Sequence, residues 1–253
     1  MHDEHDLLPS PFAWITIPSG RVRLNALRQS DHYLRQDTVV PLDPFAIAQY
    51  PVTNAQYRFF MLAGGYRTRL WWTAAGWQAR EAGQWIQPAF WDDVLFNRDD
   101  QPVVGVSWYE AVAYCQWLSA SILESVSLLT DAQWQFAAQG TDDRTYPWGN
   151  NWDANRCNHR VGRKTQESTT PVQQYAGVGQ SPFGVVDMVG NTWEWCRTSY
   201  ASGGDAAEGD SVRVMRGGGW SYGSLHGFRC THYIGGVPGL RHNAVGFRLG
   251  CGA

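Results

Sequence analysis

Residues 213–249 read RVMRGGGW, SYGSLHGFRCTHYIGGVPGLRHNAV and GFRL in turn, and the borders obey different rules from the middle. The borders, Arg216-Gly217-Gly218-Gly219-Trp220 and Gly246-Phe247-Arg248-Leu249, read as scaffold: glycines for close backbone, large rigid side chains as anchors. The middle, residues 221–245, holds no Lys, Glu, Gln, Trp, Met or Asp. The first five types make up roughly a sixth of the chain, so their joint absence over 25 positions has a chance near 1%, on the order expected of a biased segment. A segment that varies in content inside a fixed frame predicts a binding surface rather than a catalytic centre.

Outward from that segment the chain is rich in 27 glycines and 14 tryptophans, which predicts many turns pinned onto a core by large side chains. Residues 12–50 alternate apolar and polar, the signature of short strands. Thr53 is placed to cap a helix over AQYRFFML that Gly64-Gly65 ends. Ser107 with Glu110 forms a capping box for WYEAVAYCQWLSASI, and Thr130 caps DAQWQFAAQ before Gly140. Residues 66–101 are an aromatic insert of loop and short helix. Beyond Gly140 the helical signal fades, and GDAAEGD at 204–210 reads as a mobile surface loop. No linker divides residues 1–253, so one α+β, loop-rich domain is expected.

The 253 residues carry a net charge of -3 and a single lysine, Lys164, which argues against nucleic-acid binding. No apolar run reaches a membrane span, and MHDEHDLLPSPF is no export leader, so a cytoplasmic, monomeric chain is expected. Five widely spaced cysteines, an odd number without CxxC, predict free thiols rather than disulfides or structural zinc.

Seven ordered segments together resemble the formylglycine-generating-enzyme/sulfatase-modifying-factor family. They are PVTNAQYRFF (51–60), PVVGVSWYEAVAYCQWL (102–118), LLTDAQWQFAAQG (128–140), YPWGNNWDANRCN (146–158), SPFGVVDMVGNTWEWC (181–196), RVMRGGGW (213–220) and GFRL (246–249). The resemblance implies a C-type-lectin-like fold. It also locates what the catalytic members use, two copper-binding cysteines, at about Tyr222 and at His226 or Gly227. Neither position is cysteine, and Cys230 alone cannot supply a thiolate pair. The ergothioneine-type branch needs a three-histidine iron site and a helical domain, and HxxxHxE does not occur. His226, His232 and His242 stand six and ten residues apart, which matches no standard metal pattern. They would hold a metal only by converging, and they read as contact residues. No redox cofactor is expected.

The same family includes the variable proteins of diversity-generating retroelements, whose adenine-directed copying turns AAY codons into many residue types but never Lys, Glu, Gln, Trp or Met. Residues 213–249 resemble such a variable region. The resemblance assigns ligand contact to Ser221, Tyr222, Gly223, Leu225, His226, His232, Tyr233, Ile234, Gly236, Leu240, His242, Asn243 and Ala244. Arg229, Pro238, Arg241 and Gly246 stay on the family pattern. The function expected is non-catalytic binding of a macromolecular ligand. The alternatives are a divergent thiol oxidase or sulfoxide-synthase-like enzyme and a pseudo-enzyme sensory module. The competing reading of Tyr222, Tyr233 and Leu240 is ordinary core.

By resemblance, DMVGNTWE also matches a structural calcium loop, with the Asp187 and Glu194 carboxylates and the Gly190 and Thr192 carbonyls as ligands. The other reading pairs Glu194 with Arg216 or Arg248. A second family calcium site reads as lost, with Lys164 near an expected carboxylate and Asn155 lacking an acidic partner.

Overall fold

The computed structural model describes residues 7–24, 27–29, 32–35, 37–162 and 167–252. Lys164 lies outside them. The N-terminal alternation becomes short strands: β1 Trp14–Ile17, β2 Gly20–Leu24, β3 Leu27–Gln29, β4 His32–Arg35, β5 Thr38–Leu42 and β6 Phe45–Ala48.

Four helices start where local chemistry sets them. Helix α1, Asn54–Leu62, is capped by Thr53, whose hydroxyl accepts from the Gln56 N–H while the Gln56 side chain accepts from the Thr53 N–H. Helix α2, Ala74–Ala82, occupies the aromatic insert and is capped by Thr73. Helix α3, Trp108–Ile122, carries the expected Ser107/Glu110 box. Strand β7, Val126–Leu128, leads into α4, Asp131–Gln139, with Thr130 and Gln133 as a third box. Each box satisfies two N–H groups that a helix start leaves orphaned.

Beyond Gly140 come β8 Trp193–Ser199, β9 Arg213–Arg216, β10 Tyr233–Gly236, β11 Val245–Phe247 and β12 Leu249–Cys251. Two four-stranded sheets form, in the orders β1-β6-β12-β7 and β10-β9-β8-β11. The first is antiparallel throughout. In the second, β11 runs parallel to β8, with Gly246 opposite Glu194. The GFRL border thus supplies strands to both sheets.

Two apolar clusters fill the space between sheets and helices. One joins Tyr57, Phe60, Trp108, Tyr114 and Phe247; the other joins Trp134, Phe136, Val214 and Phe228. Three buried arginines bridge them to the loops. Arg248 meets Glu194 at 2.8 Å, Arg216 meets Asp131 at 2.5 Å, and Arg213 lies 3.9 Å over the Trp108 ring. Arg213 also donates to the carbonyls of Ala206 and Glu208. The 204–210 loop is therefore tethered at two points by a side chain outside it.

Two glycines in the frame have no substitute. Gly218 sits at φ +71°, and a Cβ there would lie 2.7 Å from the Gly227 carbonyl oxygen. Gly246 would place a Cβ 2.5 Å from the Val103 carbonyl oxygen.

Candidate functional site

Between its borders the 221–245 segment is held by its own main chain. The carbonyl of Cys230 accepts from Arg216 Nη1 at 3.0 Å, and that of His232 accepts from the same nitrogen at 3.3 Å. Trp108 N–H donates to Pro238 O, Gly105 N–H to His242 O and Trp193 N–H to Ala244 O, at 2.8 to 3.0 Å. The Trp220 indole N–H reaches Asn243 O at 3.1 Å. None of these bonds uses a side chain of the segment.

Arg241 adds the segment's strongest side-chain anchor. It pairs with Glu110 at 3.1 Å and donates to Gly105 O and Gln87 O. Glu110 is the capping-box glutamate of α3, and its other oxygen accepts from the Tyr66 hydroxyl at 2.5 Å. Burial pushes the Glu110 carboxyl up from its ordinary value, opposed by Arg241. The cap is legible in sequence; this second role is not.

The exposed side chains fall where the frame leaves them free. Gly223, Leu225, His226 and His242 are exposed; Ser221, Tyr222, His232, Tyr233, Ile234, Leu240 and Asn243 are half-buried. Ser224, Arg229 and Val237 (59% exposed) join the face although the sequence did not single them out as contacts. Val237 could have been found from its place just beyond the buried end of β10.

Two expected contacts are corrected. Ala244 is 1% exposed and packs with Phe96, Val104 and Trp220. Gly236 is covered, with Trp195 and Met215 standing where its side chain would be. Both lie beneath the face. Tyr222 and Tyr233 are half core: Tyr222 meets Trp193 and Phe228 edge-on at 5.5 and 6.0 Å, and Tyr233 lies under Arg216 at 5.0 Å.

Of the three histidines, two come together. His226 and His232 are in edge-to-face ring contact at 4.7 Å. His242 instead uses Nδ1 to accept the Ala244 N–H at 3.1 Å. Burial first, and the neighbouring His226 second, push His232 down to about 4.

Thiol chemistry finds no support in this face. Cys230 is buried, and burial pushes its thiol up to about 12, away from the thiolate a nucleophile or copper ligand requires. Tyr222, and His226 or Gly227, stand about where the family resemblance would put the cysteine pair.

In the DMVGNTWE loop, Glu194 pairs with Arg248, one of the two arginines the sequence offered. Glu194 accepts from Arg248 through both oxygens, and Oε2 accepts from the Trp134 indole at 2.8 Å. Gly190 O accepts from the Thr192 N–H at 2.8 Å. These bonds engage Glu194 and Gly190 O but leave each oxygen further acceptor capacity. Asp187 differs: Oδ2 accepts from Asn191 at 2.8 Å, but Oδ1 is buried without a partner. Burial pushes this carboxyl up to about 7. Among the described residues, no three His, Cys, Asp or Glu side chains converge as metal ligands. Asn155 donates its N–H to Asp153 at 3.0 Å, an acidic neighbour two residues away.

The family described as "Sulfatase-modifying factor enzyme 1-like domain" matches residues 7–251. The chain belongs to this family. Within it, the chain is 31% identical to the inactive C-alpha-formylglycine-generating enzyme 2 of Bos taurus, over 94% of this chain and 88% of that protein. It is also 31% identical to the formylglycine-generating enzyme of Thermomonospora curvata, over 69% of this chain and 66% of that protein. The fold is shared with Treponema denticola variable protein 1, at a TM-score of 0.67, 23% identity and 95% coverage of both chains. Sulfatase-modifying-factor relatives thus include both an enzyme and a protein named inactive. No helix among the described residues is long and apolar enough to cross a membrane.

Proposed function

We propose that residues 221–245 form a ligand-binding surface without catalysis, diversified by retroelement copying. One observation carries the reading: apart from the half-buried Arg241, the segment is anchored to the frame through its carbonyls, so its backbone course does not depend on which side chains it exposes. That is what a scaffold for replaceable contacts needs. Five of the six missing residue types, Lys, Glu, Gln, Trp and Met, are those that adenine-directed copying cannot produce, which supports diversification. The relative named inactive supports a family frame that persists without catalysis. The ligand is a macromolecule met by apolar area from Leu225, Ile234 and Val237 and by polar groups from Ser224, His226, Arg229 and His242. Aromatic, Ser and Gly mixtures of this kind serve antibody paratopes in the same way.

The deciding experiment is genomic. The DNA encoding residues 211–253 is expected to have a near-copy in the same genome, differing mainly at template adenines. A complete genome without one would turn the reading toward a divergent enzyme. Copper-dependent oxygen consumption with a cysteine peptide would then be the assay.

A further inference from the structure

The aromatic insert helps to wall a groove that includes no residue of the 221–245 face. The end of α1 and the turn after it supply Met61, Leu62, Gly64, Tyr66 and Arg67; α2 and the chain beyond it supply Arg80 and Ile86. The cavity measures about 390 Å³, within the roughly 300–1,000 Å³ of small-ligand sites. Leu62 and Ile86 are 74% and 69% exposed. Single exposed apolar residues are ordinary, but two from different elements flanking one hollow are what a ligand site offers.

Two arginines give the hollow its charge, and no Asp or Glu lines it. Among the described residues neither guanidinium has an ion-pair or hydrogen-bond partner. Arg80 stacks over the Trp77 ring at 5.2 Å, and its Nε is buried. Arg67 folds back over Gly64, with Nε and Nη2 3.8 and 3.9 Å from the point a Gly64 Cβ would occupy. Other polar groups of the lining are committed. The Tyr66 hydroxyl donates to Glu110 at 2.5 Å and is bonded to Tyr57; the Gly64 carbonyl accepts from both the Arg67 and Thr68 N–H groups. The groove therefore offers apolar area and donors, since a guanidinium donates and never accepts. A peptide laid in it would find no side-chain oxygen free to accept its N–H groups. An alkyl carboxylate brings an acceptor head, an apolar body and no donor to strand.

We propose that this groove is a second binding site, for a medium-chain alkyl carboxylate. Met61, Leu62 and Ile86 lie against its chain, with Arg67 and Arg80 beside its head. The attraction between head and guanidinium is coulombic and acts over several Å. The site does not depend on residues 221–245 being diversified, yet it adjoins their anchor. Trp85, on one side of Ile86, lies under Arg241 at 4.8 Å, and Gln87, on the other, accepts from Arg241.

The test is calorimetric titration of octanoate into the full chain, beside 1-octanol, which has the same chain length without the charge. One equivalent of octanoate is expected to bind saturably below about 1 mM, and octanol at least about tenfold more weakly. Arg67→Met and Arg80→Met should each weaken octanoate by about threefold or more and leave octanol unchanged. Ile86→Glu puts a like charge on the wall and should weaken octanoate by more than about tenfold. Val178→Glu, at an exposed apolar position outside the groove, should change nothing. Arg67 and Ile86 are exposed, so their variants stay informative even if Arg80→Met unfolds. Equal binding of octanol and octanoate, undiminished octanoate binding in Ile86→Glu, or no saturable binding below millimolar octanoate would overturn the proposal. So would a concentration-dependent dimer in sedimentation that Leu62→Glu dissociates, which would assign the groove to a second copy. Tighter binding of an acetyl-Leu-Leu-Glu peptide than of octanoate would likewise overturn it, in favour of a protein segment.

Discussion

Asp187 is a carboxyl with one buried oxygen unpartnered, and its titration should be visible in the stability of the whole protein. Its folded-state value of about 7 stands about three pH units above the ordinary 3.8. At 1.36 kcal/mol per unit, that amounts to about 4 kcal/mol. The sign follows from the raised value. The folded state holds the proton more tightly than the unfolded chain, so the stabilisation is complete below about 3.8. It is lost as pH rises through about 7. Between pH 5.5 and 8.5 the wild type should therefore lose about 2 kcal/mol through this group alone. Asp187→Asn removes the titration and keeps an acceptor toward Asn191. Urea unfolding in a chelator at both pH values should show the variant gaining about 2 kcal/mol relative to wild type at the higher pH. A wild type and variant with parallel pH dependence would refute the reasoning. Adding calcium distinguishes the partner of the orphan oxygen. A proton is expected; a calcium-dependent rise in melting temperature confined to wild type would restore the calcium reading.

Other expectations follow from the same geometry. Arg248→Met leaves Glu194 buried beside Trp134 alone and should cost about 3–5 kcal/mol in urea unfolding, with Glu194→Gln on top recovering part of it. Gly246→Ala drives a Cβ toward the Val103 carbonyl and should cost on the order of 1–3 kcal/mol by the same measurement. Replacing Leu225, His226, Val237 and His242 together by Asn or Ser should move the melting temperature by less than about 6 °C, since exposed positions contribute within about 0.5 kcal/mol each. Ala244→Asn alone should do more damage than all four; equal effects would mean the face is not where the carbonyl anchors put it. His232 works opposite to Asp187. Its folded value is depressed to about 4, so its contribution is present above pH 6.5 and lost as pH falls toward 4. His232→Asn should flatten that acid limb.

What could be read from the chain was what it stores locally. Thr53/Gln56, Ser107/Glu110 and Thr130/Gln133 each declare a helix start within four residues, and all three do so in the fold. The border motifs also read correctly, because Gly218 and Gly246 are required by contacts their own type announces. The remainder depends on partners distant in sequence. Ala244 looks like one more variable position until Trp220 and Phe96 close over it. Gly236 looks exposed until Trp195, forty-one residues earlier, covers it. The spacing of six between His226 and His232 fits no metal pattern, yet the intervening turns bring the rings into contact. Nor does GDAAEGD reveal that Arg213 holds it.

The last strand, β12, is an inner strand of the first sheet, hydrogen-bonded to β6 on one side and β7 on the other. A copying error that shifts the reading frame within residues 221–245 would therefore do more than scramble a surface. It would remove the strand that joins β6 to β7 in the first sheet, and Arg248 with it. Such products should fail to fold and be cleared by proteolysis. Under the proposed diversification, only in-frame sequences would reach the stage of being tried as binders.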